Sequence, residues 1–180
     1  MSANRYSAMV AQLAAELTAL ASPSGWQDTQ GYPELVVRTE ILRPTKLPAF
    51  NRYCIVVSPN MTPWGEKRTA MLEVQDTYRV DLYLLVKNFD EQKSLFGTSF
   101  PEFGVFQLIQ DVKVLLRQSD LNGLLAKTYD EPGGDPQRNG AGDVTIDEIA
   151  APGFDVSEYT FVHRARIPYQ AKMIPVCHPR

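Results

Sequence analysis

The stretch TYRVDLYLLVKN, residues 77–88, decides the fold. Tyr78, Val80, Leu82, Leu84 and Val86 alternate with Arg79, Asp81, Tyr83 and Lys87. Successive side chains of a strand point to opposite faces, so this pattern describes a strand with one covered face. Its regularity places it centrally in an antiparallel sheet. The wider β signal covers Arg68–Asn88. It either divides at Gln75-Asp-Thr77 into two arms or runs as one long bent strand.

Upstream, Leu35, Val37, Thr39 and Ile41 share one face of a half-buried strand, with Arg38 and Glu40 opposite and Pro44 and Pro48 beyond. Arg52–Val57 predicts a second strand, closed by Ser58-Pro59-Asn60. Residues 3–21 carry Tyr6, Met9, Val10, Leu13, Leu17 and Leu20 at helical spacing, with Ser2 as cap and Ser22-Pro-Ser-Gly25 as stop. Downstream, residues 101–118 return to helical spacing. Val105, Phe106, Ile109, Val112 and Leu116 line one face with Phe103 nearby, and Pro101 and Glu102 suit the first turn. Leu121–Leu125 reads as a short turn or a broken helical end. Residues 128–142 hold four Gly and two Pro and predict a mobile loop without a regular element. Val144–Ile149 and the alternating Tyr159–Tyr169 predict the last strands, and residues 171–180 a C-terminal tail.

Strands in a run, flanked by helices, indicate an α+β fold: a mostly antiparallel β-sheet packed against two helices. The 180 residues predict a single domain with its core in 3–170, large enough to hold together without metal or disulfide. The net charge of −3 argues against a dedicated nucleic-acid binder. No apolar run approaches about 18 residues, so no membrane partner is expected. MSANRYSAMV lacks a long apolar segment, so no signal peptide is expected and synthesis is placed in the cytoplasm.

Charge is uneven along the chain. Residues 1–127 carry 13 basic and 13 acidic side chains. Residues 128–158 carry eight acids, including Asp130, Glu131 and Asp135, against Arg138 alone. Residues 159–180 carry Arg164, Arg166, Lys172 and Arg180 and no acid. One reading is ordinary solvation. The sharper one is a pair of complementary surfaces on neighbouring subunits, which set partner choice and register.

No catalytic motif emerges. Cys54 sits in an apolar run and reads as a small buried hydrophobe, and Cys177 with His178 does not complete a zinc site. His163 lies mid-strand among Phe161 and Ala165 and reads as a satisfied structural histidine. The glycine pairs lack the spacing of a phosphate loop, and the acids lack the calcium-loop pattern. No cofactor or metal is expected. Trp26, Tyr32, Trp64, Phe89, Phe96 and Phe100 all fall in predicted loops, and aromatic rings on loops mark contact surfaces.

The order of elements resembles the tail-terminator (tail-completion) proteins of long-tailed bacteriophages. The likeness lies in the N-terminal helix, PELVVRTEILRP, TYRVDLYLLVKN, the helix FGVFQLIQDVKVLL and the closing strand EYTFVHRARIPYQ, which together span residues 3–170. It implies a non-enzymatic virion protein: a hexameric ring that caps the tail tube and meets the head-side connector. Partners would be other copies of the chain, the tube protein and neck proteins, with DNA passing through the lumen. The chain exceeds the family's usual length in the loops 44–67, 87–101 and 128–142. Trp26, Trp64, Phe89, Phe96, Phe100, Arg164 and Arg166 are then candidate contacts. Asp130, Glu131 and Asp135 are candidates for a lumen-facing loop that repels DNA. Two rivals remain. One is a small-molecule-binding or enzymatic α+β domain using His163 with Asp147 or Glu148. The other is a different neck, head-completion or sheath-capping subunit.

Overall fold

Val74–Asn88 (β3) is bonded along both edges, antiparallel to Tyr53–Arg68 (β2) on one side and to Phe161–Lys172 (β6) on the other. The computed structural model describes residues 5–22, 31–42, 48–68, 74–98, 102–119, 121–122, 138–139, 145–149 and 161–172. Within them a six-stranded sheet runs β1-β2-β3-β6-β4, where β1 is Val36–Arg38 and β4 is Arg138–Asn139. Thr145–Ile149 (β5) pairs with β6 as well, so β4 and β5 share its outer edge in tandem. All pairs are antiparallel except β1 with β2. The architecture is α+β.

β2 extends well past the predicted end at Val57, and Trp64 therefore lies on a strand and not in a loop. Prolines 59 and 63 suggest a stop because proline removes a ladder donor. The register explains why Pro59 is tolerated. Tyr53 pairs with Val86, so Arg52 stands opposite Lys87, whose N–H donates to the Arg52 carbonyl at 2.9 Å. Backbone groups of Arg52, Cys54, Val56 and Ser58 then face β3, and those of Tyr53, Ile55, Val57 and Pro59 face outward. Beyond β1 this outward edge has no partner among the described residues, so Pro59 forfeits no bond. A register shift between Pro59 and Trp64 accommodates the residues between them.

The expected strand 35–42 shrinks to three residues, and Ile41 is 66% exposed. Because β1 runs parallel to β2, the chain from 39 to 52 must return to the sheet's other end. Its described parts, including Leu42 and Phe50, pack on Cys54, Val56, Leu85 and Val162 on the outer face. The outer face is therefore partly covered, where the sequence pattern predicts a single covered face.

The inner face carries the main core. Val80, Leu82, Leu84 and Val86 of β3 meet Tyr53, Ile55 and Val57 of β2 and Ala165, Ile167 and Tyr169 of β6. Two helices cover them. Arg5–Thr18 (α1) continues as a 3₁₀ turn, Ala19–Ala21, and buries Met9, Leu13, Leu17 and Leu20, with Tyr6 and Val10 alongside. Val105–Gln118 (α3) buries Val105, Leu108, Ile109, Val112, Leu115 and Leu116. Phe106 does not join that face; at 100° per residue it falls beside the stripe and is 45% exposed. A short helix, Glu91–Leu95 (α2), interrupts the predicted loop 87–101, capped by the Asp90 carboxylate accepting from the Lys93 N–H. The link from α2 to α3 is pinched where Gly97 (φ +69°) bridges to Phe103. A Cβ on Gly104 would stand 2.3 Å from the Leu95 carbonyl oxygen, so that crossing needs glycine.

Further boundaries move. Arg138 and Asn139 pair with β6 inside the expected irregular loop, and Ala171 and Lys172 belong to β6 and not to a tail. Ser2, Pro101 and the rest of the 128–142 loop and of the C-terminal tail lie outside the described residues.

Tyr32 locks the helical layer to the sheet. Its hydroxyl donates to Asp111 Oδ2 on α3 at 2.6 Å, and its ring meets Tyr53 and Phe103 edge-on. Tyr32→Phe removes that donor from a buried carboxyl. It should lower unfolding free energy by about 1–3 kcal/mol in urea titration. Leu84→Ala at the centre of the core should cost about 2–5 kcal/mol in the same measurement.

Candidate functional site

The loop aromatics separate into three groups. Tyr32, expected at a contact surface, is fully buried in the core. Trp26 and Phe100 lie outside the described residues, as does the side chain of Trp64. Phe89 and Phe96 face solvent at 69% and 67% exposure. Phe96 stacks on Phe106 of α3, ring centroids 5.2 Å apart. Phe106 was hidden from the sequence reading by its place next to a helical apolar stripe, which assigned it to the core.

These rings sit at the end of the sheet where β2 begins and β3 ends. Phe89 follows the last residue of β3, and Phe96 caps α2. Beside Phe89 lies an open groove of about 480 Å³, lined by Pro33, Glu34, Arg52, Lys87 and Glu102 among others. Glu34 adopts φ +61° and accepts from the Asn51 amide at 2.9 Å. Lys93 pairs with Glu102 at 3.1 Å. Apolar rings beside paired charges form a surface suited to protein contact.

The basic strand β6 is partly committed within the chain. Arg166 donates to Asp81 Oδ1 from Nε at 3.1 Å and from its terminal nitrogen at 2.9 Å, and Asn60 donates to Oδ2 at 3.1 Å. Asp81 is only 7% exposed, so this pair holds a nearly buried charge. Arg164 lies 5.7 Å from the centre of the Tyr83 ring. Asp130, Glu131 and Asp135 lie outside the described residues.

His163 is 4% exposed and its Nδ1 is hydrogen-bonded to Ser94 Oγ on α2. The Ser94 hydroxyl also donates to the Glu91 carbonyl at 2.8 Å. Which of the two groups donates follows the ring's tautomer. Nucleophilic catalysis needs a serine that substrate can reach, and Ser94 is fully buried. Glu148 stands in register with His163 and Asp147 with Arg164 across β5 and β6.

Cys54 is buried, and burial pushes its thiol up from the ordinary value of 9.0 to about 12. Burial likewise raises Tyr6, Tyr32 and Tyr53, with the Asp111 carboxyl adding to the effect on Tyr32. Among the described residues, no three of His, Cys, Asp and Glu gather as a metal-ligand set. Among them too, no helix is long and apolar enough to cross a membrane.

Comparison with models of known families and with curated proteins finds no match.

The raised thiol and phenols set a pH dependence. An unfolded chain ionises Cys54 near pH 9 and the folded one only near pH 12. The unfolded state therefore sheds protons first, and stability present below pH 9 falls as pH rises toward 12. Urea midpoints should hold steady to pH 9 and then decline, more steeply once unfolded tyrosines ionise near pH 10. Cys54→Ala should flatten the part of the decline between pH 9 and 10. A thiol reagent at pH 8 should leave native Cys54 unmodified and label it in urea.

Proposed function

We propose that this chain is a structural assembly protein, a tail terminator of a long-tailed bacteriophage. It forms a ring, hexameric by the family resemblance, that caps the tail tube and joins it to the head-side connector in the virion. It performs no catalysis. The observation that carries this reading is the exposure of Phe89, Phe96 and Phe106 on a sheet-and-helix frame. Large rings held in water are costly unless another surface covers them.

The burial of the Ser94–His163 pair supports the same conclusion from the other side. The histidine most available for a catalytic role acts as a tie between α2 and β6. The enzymatic rival requires it to face substrate, and its ring lies in the interior.

The experiment uses purified protein with tail tubes that lack their cap. Negative-stain imaging should find the protein as a ring at one end of each tube, and light scattering should give a multiple of the monomer mass. A strict monomer that leaves tube ends bare would overturn the reading. The double substitution Phe89→Ser with Phe96→Ser should lower monomer stability by no more than about 1 kcal/mol, because the rings are exposed. It should nevertheless abolish capping.

A further inference from the structure

We infer that two copies of this chain pair face to face through the aromatic end of the sheet, the stacked Phe96 and Phe106 of each copy entering the groove beside Phe89 of the other. Pairing keeps these rings from water in the free chain. This contact is separate from capping, which concerns what covers the same rings on a tube.

Among the described residues four large apolar side chains are exposed, and three of them, Phe89, Phe96 and Phe106, gather at this end. Phe89 and Phe96 flank α2, whose five residues rise only about 8 Å. Phe96 and Phe106 stack into one projection. The groove lies directly beside it. Glu102 lines the groove, is paired with Lys93 of α2, and accepts at its carbonyl from the Thr98 N–H at 2.8 Å. One shared wall therefore separates projection from groove. Neighbours of this kind on one face are self-complementary under a two-fold rotation. Each copy supplies both halves, and the contact closes at two.

The charges of this face allow it to meet itself. A surface set against its own copy repels unless its charges balance. Glu34 and Glu102 line the groove together with Arg52 and Lys87. Asn51 holds Glu34, Lys93 holds Glu102, and Arg52 is hydrogen-bonded to the Tyr53 hydroxyl. These charges are answered within the chain, so the apolar rings drive the contact. Nucleic acid needs a positive surplus, which two acids beside two bases do not supply.

The area sets the strength. About two thirds of Phe89 and of Phe96 and nearly half of Phe106 are in water, so at roughly 200 Å² per side chain the rings show roughly 360 Å² per copy. Two copies bring roughly 700 Å² of ring, short of the roughly 1,200 Å² at which stable interfaces begin. The groove walls add the remainder. The pair is a weak one, formed at high concentration and released when a larger surface covers the rings.

The test is sedimentation of the full chain without tubes. A monomer–dimer equilibrium with a Kd of about 10–100 µM is expected. Between about 0.1 M and about 1 M salt, where the screening length falls from about 10 Å to about 3 Å, that Kd should change less than about threefold. Phe96→Ser with Phe106→Ser should raise it about tenfold or more, with circular dichroism unchanged. Cross-linking reads the geometry in a Cys177→Ser background, where Cys54 is buried. Chains carrying Phe89→Cys and Phe96→Cys, mixed and oxidised with diamide, should form a mixed dimer in higher yield than either chain forms alone.

A chain that stays monomeric to about 1 mM would overturn the pairing. So would association that survives the double substitution, species beyond a dimer that it disperses, a strong salt dependence, or no gain in cross-linking on mixing. If the chain stays monomeric and still caps tubes, the pairing fails and the capping reading stands. If it pairs and leaves tube ends bare, the pairing stands and the capping reading fails.

Discussion

The structure depends on β3 being hydrogen-bonded along both edges. Once Leu82 and Leu84 sit between β2 and β6, every backbone polar group on that stretch has a partner, and alternation decides which side chains enter the core. A slip of one residue would carry Asp81 and Tyr83 inward and Leu82 and Leu84 outward. The two helices then cover a face already formed, and Tyr32 joins them to it through Asp111. The outer face follows as a consequence. The parallel entry of β1 forces the chain across it, and the remaining area keeps the cations that alternation placed there.

Much of this was legible in the residues themselves. The period of two in 78–87 gave the central strand and its inner face. The spacing of Met9, Leu13, Leu17 and Leu20 gave the first helix. Val144–Ile149 differs from the observed strand by one residue. The failures have physical causes. Pro59 reads as a terminator because sequence does not disclose which edge of a strand is unpaired. Phe106 reads as core because a ring one position off a stripe resembles part of it, while Leu108 and Leu115 complete the buried face. The brevity of β1 is decided by where the return connection must leave, a matter of topology that Leu35–Leu42 does not encode.

The candidate surface was partly visible. Phe89 and Phe96 were identified from their loop positions, and both face solvent. Tyr32 had the same local signature and is buried, because its hydroxyl found a carboxyl 79 positions away. Arg166, a contact candidate, also neutralises Asp81, a pairing that only the register of β3 against β6 creates. Local composition distinguishes rings on loops from rings on helices. It does not distinguish a ring that finds a distant polar partner from one that finds none.

The pairing of Asn88 with Phe161 and of Thr77 with Lys172 joins positions more than ~70 residues apart, which makes sheet closure a slow, long-range event. During translation β3 is finished early and must wait, one edge open, for the strand that seals it. A nascent chain therefore passes through an interval in which an apolar ribbon can pair with another ribosome's product. Chaperones that shield such edges would then govern how much protein reaches its folded form.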